Sequence, residues 1–484
     1  MAALSFLSVL SLGLSRGFFP FDEGHYEGGM WAPALLMAHG INPYHRYLVE
    51  NPPYTASPYG PVGYLLVGAG LRVFGLQFQS GRAISLLALL VCSACIAFLA
   101  HRLTHRKRFA LLSVAFFWSQ QPVLYWAGLQ RPDFLALAFD LTAICIAFRV
   151  LESATATPRQ RLFGMTLCAI LTVCAGMSRL TTFVPFLLVL SLCHVWKAQR
   201  EMRFYLLSVL GLFAATLWAL NSTSDGGFWW QQWTLASAAP KSVAVSWAQL
   251  SLLLKGSPST ILALLLVSSA WASAWRKERL EKRHSPAQTA SHSPSANKNT
   301  VWKTFCLATG VALVVAFVTT ARAGADLNYW LEATAYLSVV AAASWPQLAQ
   351  ETQKIWRVRY AFCLLIIALS ATVPAIPMWQ HEQARWGSLP YLRRVVAAIK
   401  EHSAPQEPGF GFYVDLIYAA GRTPFFNDPV QYDTRSSLNQ LLQRELRQRR
   451  FAAVLSLSRT KGYHRLDIPS ELPEQNVWLY IRNK

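Results

Sequence analysis

The chain of 484 residues is 53% hydrophobic and only 14% charged, with a mean hydropathy of +0.28. That composition excludes a soluble enzyme of this length and points to a multi-pass membrane protein. The 44 Lys and Arg against 24 Asp and Glu leave a net charge of +20. The excess lies in short clusters between apolar runs, the pattern of cytoplasmic loops, so membrane lipids are expected partners and nucleic acid is not.

In chain order, the first apolar run, residues 1–19, is one of many and not a lone signal peptide. Runs of membrane-crossing length follow at 82–100, 109–126, 133–150, 161–177, 179–196, 203–220, 257–275, 301–320, 330–348 and 359–376. About eleven spanning helices are therefore predicted. The run 59–75 starts among Pro58 and Pro61 and carries Arg72 near its end. Read as a helix lying in the interface, it lets all the basic clusters, such as "HRLTHRKR" at 101–108 and "RKERLEKRH" at 276–284, fall on the cytoplasmic side.

The other side then receives residues 20–80, the turns at 131–133 and 177–179, loops 221–256 and 321–329, and everything from 377 onward. Residues 276–300 read as a flexible cytoplasmic loop, rich in Ser, Ala, Pro and Asn in their second half. Residues 1–376 form the predicted membrane domain. Residues 377–484 form a small extracytoplasmic α/β domain, with helical patterns near 388–402 and 436–449 and strands at 411–414, 452–457 and 477–482. The eight cysteines lie in apolar segments, which implies neither a disulfide framework nor a zinc site. Cys92 and Cys95 read as packing residues.

Ionisable residues stand out against this background. "FFPFDEGHYEGGM" at 18–30 gathers Asp22, Glu23 and Glu27 with His25. Asp22 reads either as the cap of a helix running to Ala38, with Glu23 in its first turn, or as a functional acid. The stretch "GLQRPDFLAL" puts Arg131 and Asp133 at the mouth of a span, again as cap or site. Arg179 stands at another outer turn. In "TTARAGADLNYWLEATAY", Arg322, Asp326, Asn328 and Tyr329 share a short loop and Glu332 opens the next helix. Carboxylates of this kind serve as bases and the arginines as phosphate ligands, a layout that suits a lipid-linked phosphate.

The order of the motifs resembles the GT-C superfamily of membrane glycosyltransferases. The Asp-Glu pair after the first span is followed by "GINPY", "NPPYTASPYGPVGYLL", "GRAISLL" and "RPDFLALAF". The nearest branch is that of dolichyl-phosphate-mannose protein mannosyltransferases and bacterial lipid A aminoarabinose transferases, over residues 1–196. "GADLNYWLE" and "GRTPFFNDPVQYD" are similar to its bacterial members. The resemblance implies interfacial helices in the first outer loop of an α-helical bundle. It also implies Asp22, Glu23 and Asp133 as catalytic acids and inverting transfer of a sugar from a polyprenyl-phosphate carrier to a lipid, glycan or protein hydroxyl, in the cell membrane.

The donor phosphate is assigned to Arg131, Arg179 and Arg322, with Asn328 and Tyr329 beside them, and Asp22 is taken as the base. A divalent metal stays an option beside the arginines, since no complete ligand set is readable. The alternative function is a transporter or flippase of a lipid-linked sugar, which uses charges near the bilayer midplane and broken inverted repeats. Neither feature is apparent. His25 and Glu27 are read as scaffold.

Overall fold

A computed structural model describes residues 2–22, 27–51, 53–235, 241–284, 294–322, 325–348, 353–411, 414–425, 444–448, 451, 453–456, 463–465 and 478–482. Glu23 and His25, residues 285–293 of the loop 276–300, and most of "GRTPFFNDPVQYD" lie outside these residues.

Helix α1 (Ala2–Phe18) leads to a 3₁₀ turn (Gly28–Met30) and α2 (Trp31–Ala38), then α3 (Arg46–Glu50) and α4 (Pro61–Phe74). The bundle continues with α5 (Phe78–Thr104), α6 (Lys107–Trp118), α7 (Gln121–Trp126), α8 (Asp133–Glu152), α9 (Pro158–Gly176), α10 (Val184–Val195) and α11 (Gln199–Ser222). After α12 (Gly227–Trp229) come α13 (Val243–Gly256), α14 (Pro258–His284), α15 (Pro294–Thr319), α16 (Leu331–Leu348) and α17 (Gln353–His402). Helix is thus found at each of the eleven predicted spans.

Among the described residues six helices, within α5, α8, α11, α14, α15 and α17, are long and apolar enough to cross a membrane. The predicted span 109–126 is two helices, because the chain turns at Ser119–Gln120 and restarts with Pro122 in the first turn of α7. The span predicted from 179 starts at Val184, again with a proline in its first turn. Helix α4 has 14 residues, roughly 21 Å against a hydrocarbon core of about 30 Å. It is too short to cross.

The centre of the bundle is α16, where Ala333, Ala335, Tyr336, Leu337 and the run Val339–Ala342 are fully or almost fully buried. A helix apolar on every side belongs inside a bundle. In contrast, α11 turns Leu207, Leu210 and Trp218 outward, which gives a surface suited to lipid. The chain is a multi-pass membrane protein.

Contacts gather the predicted outer loops at one end. The Val62 N–H donates to Met177 O at 3.2 Å and Ser242 N–H to Ala321 O at 2.7 Å. Gln231 and Gln232 hold the backbone around Ser57. The basic clusters pair elsewhere, through Arg102–Glu152 at 2.5 Å, Arg161–Glu201 at 3.7 Å and Lys303–Glu278 at 2.7 Å. Arg82 and Arg102 stand near opposite ends of α5, roughly 30 Å apart. The two sets of charges therefore occupy opposite ends.

Helix α17 runs unbroken through the predicted boundary at 377, with Pro374, Pro377 and Pro390 inside it. It delivers the chain into a sheet of β1 (Gly409–Gly411), β2 (Ala453–Ser456), β3 (Tyr463–Arg465) and β4 (Trp478–Arg482), ordered β1-β2-β4-β3. Strands β1 and β2 are parallel and the other pairs antiparallel. The strand expected at 411–414 ends at Gly411, and Val414 instead opens a short helix, α18 (Val414–Ala419). Of the helix expected at 436–449, residues 444–447 are described and helical.

Candidate active site

Two buried arginine–carboxylate pairs sit at the loop end of the bundle. The first is closed. Arg82, fully buried on α5, donates Nε to Glu27 Oε1 at 3.0 Å and Nη2 to Glu27 Oε2 at 2.5 Å. Its remaining hydrogens reach the carbonyl oxygens of Arg16 at 2.7 Å, Phe19 at 2.5 Å and Phe21 at 2.7 Å. Glu27 Oε1 also accepts the Gln130 N–H. The fork of one guanidinium thus ties the end of α1, the first loop and the α7–α8 turn together.

Asp22 hangs from this anchor. Its Oδ2 accepts the Gly28 N–H at 2.8 Å, which satisfies the first residue of the 3₁₀ turn. The helix that Asp22 was expected to cap begins farther along, at Gly28, and the acid reaches it across six residues. The Asp22 N–H donates to Asp415 Oδ2 of α18 at 2.9 Å, and Arg385 of α17 donates to Asp22 O. Burial, then the Glu27 charge, push the Asp22 carboxyl upward, against the pull of the Gly28 N–H, Arg82 and Arg385.

The second pair is open. Asp133 is the first residue of α8, following Pro132, where a carboxylate suits the helix dipole. Its Oδ1 accepts Arg179 Nη1 at 2.7 Å and Asn328 Nδ2 at 2.9 Å, and the same Arg179 nitrogen donates to Asn328 O at 3.0 Å. Asp326 shapes the loop by accepting the Leu327 N–H at 2.6 Å, capping a 3₁₀ turn (Leu327–Trp330). That turn sends Asn328 toward Asp133 and lays Tyr329 under Arg179, 4.3 Å from guanidinium carbon to ring centre. Gly60 locks the first loop onto the Arg179 turn, since a Cβ there would fall 1.9 Å from Met177 O.

Asp133 Oδ2, Arg179 Nη2 and Asn328 Oδ1 are buried with no hydrogen-bond partner among the described residues. Asp133 and Arg179 line a narrow cleft with Thr181, Thr182, Thr319, Tyr329 and Glu332, of about 20 Å³, room for about one water. Native structures rarely leave such atoms unpaired. This trio offers one cationic donor and two acceptors to a ligand. On the same α10–α15 seam a second, larger groove of about 520 Å³ runs past Val184, Leu187, Leu188, Leu307 and Val311.

The sequence-predicted residues thus fall into separate places. Asp133, Arg179, Asn328 and Tyr329 come together. Arg131 lies beside them, stacked 5.2 Å from the Tyr59 ring and 5.3 Å from Trp126, and burial pushes the Tyr59 hydroxyl up to about 12. Arg322 pairs by backbone with Lys241, and among the described residues its side chain makes no ion pair or hydrogen bond. Asp22 faces the C-terminal sheet, joined to the trio's layer through Glu27 and Gln130.

Sequence reasoning missed Arg82, Asp140, Arg385 and Asp415. Arg82 and Asp140 each announced themselves as an ionisable residue inside an apolar run; Asp140 is buried with both carboxylate oxygens unpaired among the described residues. Arg385 lies in polar sequence and gave no signal, whereas Asp415 interrupts the apolar stretch "FYVDLIYAA" at 412–420 and was overlooked. Among the described residues no three His, Cys, Asp or Glu side chains are grouped to hold a metal ion.

No family model and no curated protein sequence matches the chain. Solved structures do. ArnT from Cupriavidus metallidurans bound to undecaprenyl phosphate superposes with a TM-score of 0.60 at 12% identity, covering 99% of this chain and 97% of ArnT. Its apo state gives 0.59 at 13%, with the same coverage. The Archaeoglobus fulgidus oligosaccharyltransferase, in complex with Zn and sulfate, gives 0.51 at 15%, covering 94% of this chain and 67% of that one. The chain shares the fold of these structures. Its likeness to ArnT extends over almost the full length of both chains, and at these identities it speaks to architecture, since one fold hosts many activities.

Proposed function

We propose that this protein is a membrane glycosyltransferase that moves a sugar from a polyprenyl monophosphate to a hydroxyl acceptor. The observation that carries the proposal is the open Asp133–Arg179–Asn328 trio, a charged site with unfilled bonds, on the same helix seam as an apolar groove. An anionic head and a long apolar tail are what such a pairing suits. The fold shared with an undecaprenyl-phosphate-bound ArnT supports the same reading.

In this mechanism Arg179 Nη2 takes a phosphate oxygen of the donor, and Tyr329 steadies the guanidinium from below. Asp133 Oδ2 and Asn328 Oδ1 accept sugar hydroxyls. The acceptor oxygen attacks the anomeric carbon while the bond from that carbon to the phosphate oxygen breaks, inverting the centre. The bonding pair leaves on the polyprenyl phosphate, where Arg179 balances the added charge. The acceptor's proton goes to Asp22, whose burial raises its carboxyl in the direction a base at neutral pH requires.

The site end is assigned to the extracytoplasmic side of the cell membrane, because the basic clusters pair at the other end. Residues 377–484 are assigned to that side as a separate domain. Purified protein incubated with radiolabelled undecaprenyl-phosphate sugars and a mixed lipid acceptor pool tests the reading. Label should pass to acceptor with wild type and fall in Asp22→Asn by roughly 10²–10⁴-fold. Undiminished transfer by the variant would remove Asp22 from the mechanism, and energy-coupled movement of label across vesicles without transfer would point to a transporter.

A further inference from the structure

Phe19 and Phe21, at the start of the first loop, are buried in the same cluster as Leu416 and Ile417 of α18, Leu455 of β2 and Leu479 of β4. The loop that carries Asp22 is therefore part of the core of the C-terminal sheet. Trp31 meets Tyr418 edge-on at 5.7 Å, and Tyr54 donates its N–H to Phe425 O at 2.9 Å. At the centre of this joint Asp415, 1% exposed, places Oδ2 2.9 Å from the Asp22 nitrogen. Gly28 allows the approach, since a Cβ there would lie 3.1 Å from the Asp415 nitrogen.

We propose that Asp415 is the positioning residue for Asp22, so that the C-terminal unit completes the site rather than merely capping the bundle. The proposal rests on the reading of Asp22 as the proton acceptor. Two buried carboxyls in one joint do not both ionise readily, and one proton is shared between them. The groups around them decide where it sits. Burial and the Glu27 charge oppose ionisation of Asp22, while the Gly28 N–H and two cations, Arg82 and Arg385, favour its charge. Burial, then the Asp22 charge, raise the Asp415 carboxyl to about 7, against the pull of the backbone N–H groups of Asp22, Leu416 and Asp415.

The proton therefore rests on Asp415, whose buried Oδ1 has no hydrogen-bond partner among the described residues, and the charge on Asp22. Asp415 thus fixes the Asp22 backbone through Oδ2 and leaves the Asp22 carboxylate ionised and ready to take a proton.

Two variants test this. Asp415→Asn keeps an acceptor for the Asp22 N–H and mimics the protonated acid. It should retain transfer near neutral pH and leave the acid limb of the kcat–pH profile in place, because the group it replaces is already neutral there. Asp415→Ala removes the acceptor. It should lower kcat with little change in donor KM, and hydrogen–deuterium exchange should speed up in the peptide containing Asp22. An acid limb displaced in Asp415→Asn, or unchanged exchange in Asp415→Ala, overturns the proposal. Exchange needs no turnover, so a wild type that transfers no sugar refutes the functional reading while the exchange comparison still judges the contact between Asp415 and Asp22.

Discussion

Arg82–Glu27 and Arg179–Asp133 are chemically the same pair, buried at the same end of the same bundle. In the first, both carboxylate oxygens and the guanidinium nitrogens are bonded, the latter also to the carbonyl groups of Arg16, Phe19 and Phe21. In the second, a nitrogen of the arginine and an oxygen of the acid have no partner among the described residues, and a cleft adjoins them. Burial of charge therefore does not distinguish scaffold from site. Unfilled hydrogen-bonding capacity next to a void does.

The comparison can be broken by mutation. Arg82→Ala should have the largest effect, because Glu27 would remain buried without its counter-charge. A loss of about 3–5 kcal/mol is expected, read as a collapse of the unfolding midpoint in detergent. Arg179→Ala should move that midpoint less, because Asp133 keeps its bond from Asn328 Nδ2 and its place at the N-terminus of α8. Its cost falls on the donor, where losing a charged hydrogen bond of about 1.5–3 kcal/mol raises the donor KM roughly 10–150-fold. Equal destabilisation by the two variants would erase the distinction.

A subtler effect concerns the joint with the C-terminal sheet. The Asp415 carboxyl titrates at about 7 in the folded chain against an ordinary value of about 3.9. Between those values the folded state holds the extra proton, so stability falls as pH rises through the window. The melting temperature should decline from pH 4.5 to 7.5, more steeply in wild type than in Asp415→Asn. Parallel curves would show that this carboxyl is not the one responsible. The smallest effect is expected at the opposite end. Removing the partly exposed Arg161–Glu201 pair with Arg161→Ala should change stability by about 0.5 kcal/mol or less, measured by the same unfolding assay.

Much of the fold was legible because spanning helices are set by local apolar runs. The residues that open α8 and α16 were legible for the same reason: Asp133 and Glu332 interrupt an apolar pattern. The failures have a physical cause as well. The break at Ser119–Gln120 depends on tertiary hydrogen bonds, such as Ser119 Oγ to Ser259 Oγ at 2.9 Å, that no local pattern encodes. Glu27 looked like scaffold in sequence and is scaffold here, but nothing local tied it to Arg82, 55 residues away. Asp415 lies 393 residues from Asp22. Only the folding of the C-terminal sheet around Phe19 and Phe21 brings the two acids together.

The central claim is that the open pair is where a lipid phosphate binds, and binding tests it most directly. Undecaprenyl phosphate should be titrated into purified wild type, Arg179→Ala and Arg161→Ala under one detergent condition. Wild type and Arg161→Ala should bind alike, and Arg179→Ala should bind at least about tenfold more weakly. Equal affinity in all three would contradict the assignment of Arg179 and the reading of the open trio as the site.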